Sequence, residues 1–211
     1  MIQIFAGYDS REAAGFQVFT KSLIKYASVP FAIVPVTQNI FKRIARGTNQ
    51  FGDLRFIIPK LMNYTGTAIW MDGSDMMFRG DIANFLELID PFAAVRVVKH
   101  DYKTKSPRKY VGTNMESDNL DYPRKNWSSV MIMNCSHRSW RRISMDDPVT
   151  ELHRFYNIQD EHIGDLPVEW NHLVGEYDYN PQARLVHFTL GIPGFEHYKN
   201  CDYASEWRSY Q

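Results

Sequence analysis

Thr67-Ala68-Ile69-Trp70-Met71-Asp72-Gly73-Ser74-Asp75-Met76-Met77-Phe78 sets two carboxylates inside an otherwise apolar run. Its first five residues read as a strand, a short apolar segment bounded by turn formers. Upstream of it, Leu54, Ile57, Ile58, Leu61 and Met62 form a helical stripe, and Phe31 to Val36 is an apolar run bracketed by prolines. Phe16, Phe19, Leu23 and Ala27 recur at helical spacing behind Ile2 to Ala6, a run stopped by Gly7. Strands alternating with helices predict an α/β protein with a parallel sheet wound right-handedly. Downstream, Ile82 to Ile89 predicts a helix, and Phe92 to Val98, Ser128 to Asn134 and Arg184 to His187 predict strands. The expected architecture is one Rossmann-like domain over residues 1–211, a mostly parallel central sheet flanked by helices. Ligands in such sheets bind beyond the carboxyl ends of the strands, so chemistry is expected just after Ala6 and Met71.

Composition narrows the class. A chain of 211 residues with 44% hydrophobic and 23% charged residues is long enough for one substantial core and ordinary enough to exclude wholesale disorder. Lys plus Arg equal Asp plus Glu at 24 each, so no overall field recruits nucleic acid or an anionic membrane. No apolar run approaches the roughly 18 to 20 residues of a membrane-spanning helix, and the Met1 to Phe5 start lacks the marks of a signal peptide. A soluble, cytoplasmic protein is expected, with Cys135 and Cys201 as reduced thiols. Asp101 to Lys125 has no periodicity and predicts a long mobile loop able to fold over a substrate.

Carboxylates this close to a buried strand cost free energy unless something compensates them. Mg²⁺ or Mn²⁺ does so, because both favour oxygen ligands, and Mg²⁺ takes only one or two protein carboxylates while leaving positions for phosphates. The alternative is that Asp72 caps a turn through Gly73 and Ser74 while Asp75 caps the next element. The run Ile69 to Ile82, ending Phe78-Arg79-Gly80-Asp81-Ile82, resembles the aspartate motif of the retaining GT-A glycosyltransferases. That superfamily includes glycogenin and the bacterial lipopolysaccharide galactosyltransferases. There a strand ends in Asp-x-Asp and continues to Gly-Asp-Ile or Gly-Asp-Leu. Asp75 keeps the family spacing to Asp81, whereas Asp72 stands one residue further upstream. The resemblance implies a GT-A fold, a divalent ion on Asp72 and Asp75, and donor contacts at Asp72, Gly73 and Ser74.

The resemblance extends over most of the chain. Phe5-Ala6-Gly7-Tyr8-Asp9 is similar to the family's nucleotide-binding turn, which implies that Asp9 faces the base or ribose and Tyr8 stacks on the base. Asp9 reads equally as a helix N-cap boxed with Glu12. Arg55 matches the arginine that reaches the donor, or is an ordinary solvated helix arginine. Leu185-Val186-His187-Phe188-Thr189-Leu190-Gly191-Ile192-Pro193 is similar to the late His-Phe-x-Gly-x-x-Lys-Pro motif, which makes His187 the third metal ligand and Gly191 a donor contact. Ile192 stands where the family has lysine, so Lys199, Lys99 or Lys125 is the candidate to neutralise the leaving diphosphate. Gln159-Asp160-Glu161, ahead of Leu166-Pro167 and Trp170-Asn171, resembles the family's Asp-Gln pair. Asp160 would bind sugar hydroxyls, and Asp160 or Glu161 would stabilise an oxocarbenium-like carbon; a solvated acidic loop is the alternative. Asn126, Trp127 and Ser128 match a segment on the donor-sugar side, with Ser129 in place of a glycine.

What this implies is metal-dependent transfer of a sugar, with retention, from a nucleoside-diphosphate sugar, UDP by likeness of the Gly7-Tyr8-Asp9 turn to uridine-binding turns. A glycan, a lipid-linked sugar, a protein and a modified DNA base remain open as acceptors. The basic excess over residues 99–125 suits an anionic one, although a solvated loop face explains it as well. Two rivals use the same sheet. A nucleotide-sugar hydrolase or nucleotidyltransferase would need a triphosphate- or water-activating site, and no Gly-rich phosphate loop is present. A noncatalytic nucleotide-sugar-binding domain is the other.

Overall fold

A six-stranded sheet organises the computed structural model, which describes residues 1–42 and 44–211. Its first half is β1 (Ile2–Gly7), β2 (Phe31–Val36) and β3 (Thr67–Met71), parallel to one another with β1 in the middle. The connections carry α1 (Ala13–Tyr26), α2 (Gln38–Phe41) and α3 (Ile58–Leu61). β4 (Met76–Phe78) and α4 (Asn84–Glu87) follow, then β5 (Val95–Val97), a hairpin of β6 (Arg108–Lys109) with β7 (Ser117–Asp118), and β8 (Val130–Asn134). The chain ends with α5 (Val149–His153), β9 (Ile163–Asp165), β10 (His172–Leu173), β11 (Leu185–His187) and α6 (Ala204–Arg208). No helix among the described residues is long and apolar enough to cross a membrane.

The sheet order is β2-β1-β3-β8-β5-β9, and the expected mostly parallel sheet is present, with β8 the strand that runs against its neighbours. Its reversal has a simple cause. The connection after β5 stays at the carboxyl end of the sheet, so the chain re-enters from that end and must run downward. Side chains alternate along each strand and both faces are buried, as in sheets covered on two sides. Phe5, Trp70, Val97 and Met131 pack on one face with Phe51, Leu54 and Phe155. Ile4, Ala6, Ile69 and Met71 pack on the other with Phe19 and Leu23.

Several expected elements differ from the reading. The helix over Ile82 to Ile89 is reduced to Asn84–Glu87, because Pro91 biases the residue before it away from helix and Asp90 caps a turn at Phe92 (2.9 Å). The strand over Phe92 to Val98 forms only at Val95–Val97. The loop Asp101 to Lys125 contains the β6/β7 hairpin.

A second sheet, β10-β11-β4, serves the site. β11 runs antiparallel to β4 with His187 opposite Met76, so a histidine far along the chain arrives beside Asp75. Val18, Met77, Val186, Phe188, Ile192 and Trp207 form a third apolar cluster that fastens this sheet to α1 and α6. On its other side α1 meets the turn after β3 backbone to backbone: a Cβ on Gly15 would lie 1.9 Å from the Ser74 carbonyl oxygen. Glycine in a helix interior costs about 0.5–1 kcal/mol relative to alanine, and here it permits that approach.

Candidate active site

Asp72 ends β3, and Asp75 closes a 3-10 turn spanning Gly73–Asp75 in which Asp75 N–H donates to the Asp72 carbonyl (3.2 Å). A 3-10 turn has three residues per revolution, so side chains three apart eclipse. The extra residue that separates this motif from Asp-x-Asp is thereby absorbed, and both carboxylates emerge on one side. Phe188 N–H bonds the Asp75 carbonyl (2.8 Å) and anchors the end of β11 there. Ligand-capable atoms of Asp72, Asp75 and His187 all lie within 4.8 Å of one another, and all three residues are buried.

Each member is held differently. Asp72 accepts from Trp70 Nε1 (2.8 Å) and pairs with the Arg55 guanidinium (2.8 Å). Burial pushes its carboxyl up to about 6, against the pull of Arg55. Asp75 Oδ2 is 3.3 Å from His187 Nε2, while Oδ1 is buried with no hydrogen-bond partner among the described residues. The tautomer of His187 follows from Asn171. That amide nitrogen donates to Ser129 Oγ (2.7 Å) and lies 2.9 Å from His100 Nε2. Its oxygen therefore accepts from His187 Nδ1 (3.0 Å), so that the ring, when neutral, presents its Nε2 lone pair to the carboxylates. His100 is neutral in the same network, driven down to about 3 by burial. Carboxylate oxygens of Asp72 and Asp75, the latter with an orphaned oxygen, and an imidazole nitrogen are a donor set that suits Mn²⁺ or Mg²⁺.

These three groups form the floor of a cavity of about 230 Å³. One wall is the segment Arg46 to Asn49, another is Lys109, Tyr110 and Tyr122 from the long loop, and a third is Asn126, Ser128 and Ser129. The loop lies across the site and is tied down at several points. Tyr110 N–H donates to the Leu190 carbonyl (2.7 Å), and the buried Glu176 accepts from Lys105 N–H (2.7 Å) and Asn119 Nδ2 (2.9 Å).

The structure gathers some of the expected residues and leaves others out. Arg55, Asn126 and Ser128 line the cavity with the three candidate ligands. Arg55 is bound within the protein, donating to the Gly52 carbonyl (2.7 Å), the Ser128 carbonyl (2.8 Å) and Asp72, so it is not a solvated helix arginine. Among the described residues, Ala6, Gly7, Tyr8, Asp9, Gly73, Ser74, Trp127 and Gly191 are not cavity walls. Tyr8 packs edge-on against Phe16, and Trp127 Nε1 donates to the His100 carbonyl (2.9 Å). Gly191, at φ 148°, admits the Tyr198 ring where a Cβ would clash. Ser74 Oγ accepts from Asp9 N–H (2.8 Å).

Of its two expected roles Asp9 takes the cap, without the box, and it is not a cavity wall. It caps the turn before α1 through Arg11 N–H (3.0 Å), grips the Arg11 side chain, and accepts from Gln50 N–H (3.0 Å). Burial raises its carboxyl, but these bonds outweigh burial and hold it below the usual range. Glu12 does not reach back to complete a box: both of its oxygens are buried without hydrogen-bond partners among the described residues. Asp160 and Glu161 are exposed residues ahead of the amino end of β9, outside the cavity walls, and Asp160 pairs with Arg124. Their exposure follows from entering an edge strand at the end opposite the site. Lys99, Lys125 and Lys199 are likewise absent from the walls and bond Asp165, Asn119 and Glu196. Lys109, Tyr110, Tyr122, Thr189, His153 and the Arg46 to Asn49 segment line the cavity without having been singled out.

No family model matches the chain. Protein CDI of Arabidopsis thaliana is 36% identical over 97% of this chain and 84% of its own length. Among solved structures, the bifunctional glycosyltransferase WbbM superposes over 100% of the chain with a TM-score of 0.64 at 13% identity; the chain spans 51% of its length. The galactosyltransferase LgtC, in complex with donor and acceptor sugar analogues, superposes over 99% of this chain and 95% of its own with a TM-score of 0.57 at 12% identity. The fold is that of the GT-A glycosyltransferases.

Proposed function

Because this chain belongs to the family of Protein CDI of Arabidopsis thaliana and has the fold of the GT-A glycosyltransferases, we propose that it is a metal-dependent glycosyltransferase. It takes a sugar from a nucleoside-diphosphate donor, with UDP as the expected nucleotide, and passes it with retention to an acceptor hydroxyl. The observation that carries this reading is the Asp72–Asp75–His187 group on the cavity floor, with a buried Asp75 oxygen lacking any partner.

A divalent ion held there supplies Lewis-acid neutralisation of the leaving diphosphate. The remaining work falls to the chain's own residues. Trp70 and Arg55 fix the Asp72 carboxylate, and Asn171 fixes the imidazole of His187. Asn126, Ser128 and Thr189 offer neutral hydrogen-bonding groups to sugar hydroxyls. Among the described residues, no carboxylate other than Asp72 and Asp75 lines the cavity, so the departing diphosphate itself is the anion that faces the oxocarbenium-like carbon and takes the acceptor's proton. The loop across the cavity excludes the water that would hydrolyse the donor.

Incubation with UDP-, GDP- and CMP-linked sugars, with Mn²⁺ or excess chelator, tests the reading by release of free nucleotide. Mn²⁺-dependent release from a UDP-sugar is expected; release indifferent to chelation, or none from any donor, overturns it.

A further inference from the structure

Among the described residues three cations besides the histidines line the cavity, and two are engaged by the protein: Arg55 by Asp72, and Arg46 by Asp53 (2.8 Å) and the Met145 carbonyl (2.7 Å). Lys109 is different. Its side chain makes no hydrogen bond or ion pair among the described residues, and its ammonium lies 5.5 Å from the centroid of the Tyr110 ring. Asp75, Asp72 and Glu12 are the acids that act on it from below, and Arg55 is the cation that opposes it. Burial lowers its pKa from the usual range, the mark of an ammonium lacking close compensation. The position is nevertheless a fixed one. Lys109 pairs in register with Ser117 in the β6/β7 hairpin, and the next residue hydrogen-bonds Leu190. Among the described residues no further lysine or arginine lines the cavity, and Ile192 is 2% exposed, packed among Val18, Met77 and Trp207.

We propose that Lys109 binds the donor's diphosphate and neutralises it as it leaves, from the wall of the cavity facing the carboxylate floor. This rests on the reading of the cavity as a nucleoside-diphosphate-sugar site. A diphosphate lying between floor and hairpin gives the ammonium the anion that the protein withholds. It also places positive charge on both sides of the group where negative charge develops. When the bond from the anomeric carbon to the diphosphate oxygen breaks, the electron pair goes to that oxygen. Lys109 stays protonated throughout and exchanges no proton.

The test is calorimetric binding of UDP and of uridine, both with Mn²⁺, to wild type, Lys109→Gln, Lys109→Ala and Lys109→Arg. Loss of this half-buried cation weakens UDP binding by at least about tenfold in the Gln and Ala variants and leaves uridine binding unchanged, and the Arg variant largely restores UDP affinity. Equal UDP affinity in wild type and Lys109→Gln overturns the assignment of Lys109 and leaves the proposed function standing. A parallel loss for UDP and uridine assigns Lys109 a structural role and overturns it too. A wild type that binds neither UDP nor GDP nor CDP sinks the site reading and the inference together.

Discussion

Asn171 Oδ1 accepts the Nδ1–H of His187 across 3.0 Å, and that bond decides which nitrogen of the imidazole faces Asp75. The amide is itself oriented by Ser129 Oγ and His100 Nε2, so the tautomer is set two bonds away from any ligand atom. Removal of such an outer partner costs about 10- to 100-fold in metal affinity. Asn171→Ala is expected to weaken Mn²⁺ binding within that range, read by electron paramagnetic titration on protein whose melting shows it folded. Unchanged affinity in a folded variant contradicts the role given to the amide.

Asp75 carries the orphaned oxygen, so Asp75→Asn is expected to abolish Mn²⁺ binding and nucleotide release, bringing activity to the level of wild type in excess chelator. The same variant melts no lower than wild type in chelator, because it replaces a partly unsatisfied buried carboxylate by a neutral amide. Persisting metal-dependent turnover would contradict the first outcome.

Arg55 hydrogen-bonds Gly52 and Ser128 and pairs with the buried Asp72 carboxylate. Stripping one partner from a buried ion pair typically costs about 3–5 kcal/mol, so Arg55→Ala is expected to lose stability on that scale in denaturant unfolding. Arg55→Lys recovers little, since an ammonium lacks the fork that serves Gly52, Ser128 and Asp72 together. A loss comparable to that of a surface arginine would return Arg55 to the solvated reading.

Glu12 is fully buried with neither oxygen bonded, and burial, then the charges of Asp75 and Asp9, raise its pKa well above the usual 4.5. A carboxyl raised in the folded state contributes its full stability below the unfolded value, and that contribution is lost as pH rises through the folded value. Glu12→Gln has no such charge to form. The variant should therefore gain on wild type between about pH 5 and about pH 8 in metal-free denaturant unfolding, with the difference widening as pH rises. A difference that does not change with pH would show that Glu12 is accommodated by contacts of another kind.

Local sequence revealed the strand Thr67 to Met71, the helix behind β1 and the carboxylate pair Asp72 and Asp75, because each depends on neighbours a few residues away, whereas His187 joins them through the pairing of β11 with β4. The direction of β8 was not legible, since it depends on which end of the sheet the chain re-enters. Asp9 illustrates a second limit: a cap and a ligand contact use the same carboxylate, and the choice is made by Arg11 and Gln50. Asp160 and Glu161 sit in a motif-like string, yet a motif carries no information about exposure. Lys109 was one basic residue in an aperiodic loop, and only the hairpin that tertiary contacts impose turns it toward the carboxylates.

The contact of Gly15 with the Ser74 carbonyl joins helix and turn so closely that neither can move far alone. Any fluctuation that frees α1 also loosens the turn carrying Asp72 and Asp75, and such an open form has no organised metal site. Metal that binds only the closed form raises the opening free energy by an amount that grows with the ratio of free metal to its dissociation constant. Amide hydrogens of α1, a helix that supplies no ligand, should thus exchange more slowly as Mn²⁺ saturates the protein. Their protection is a gauge of site occupancy that can be read before any sugar acceptor is known.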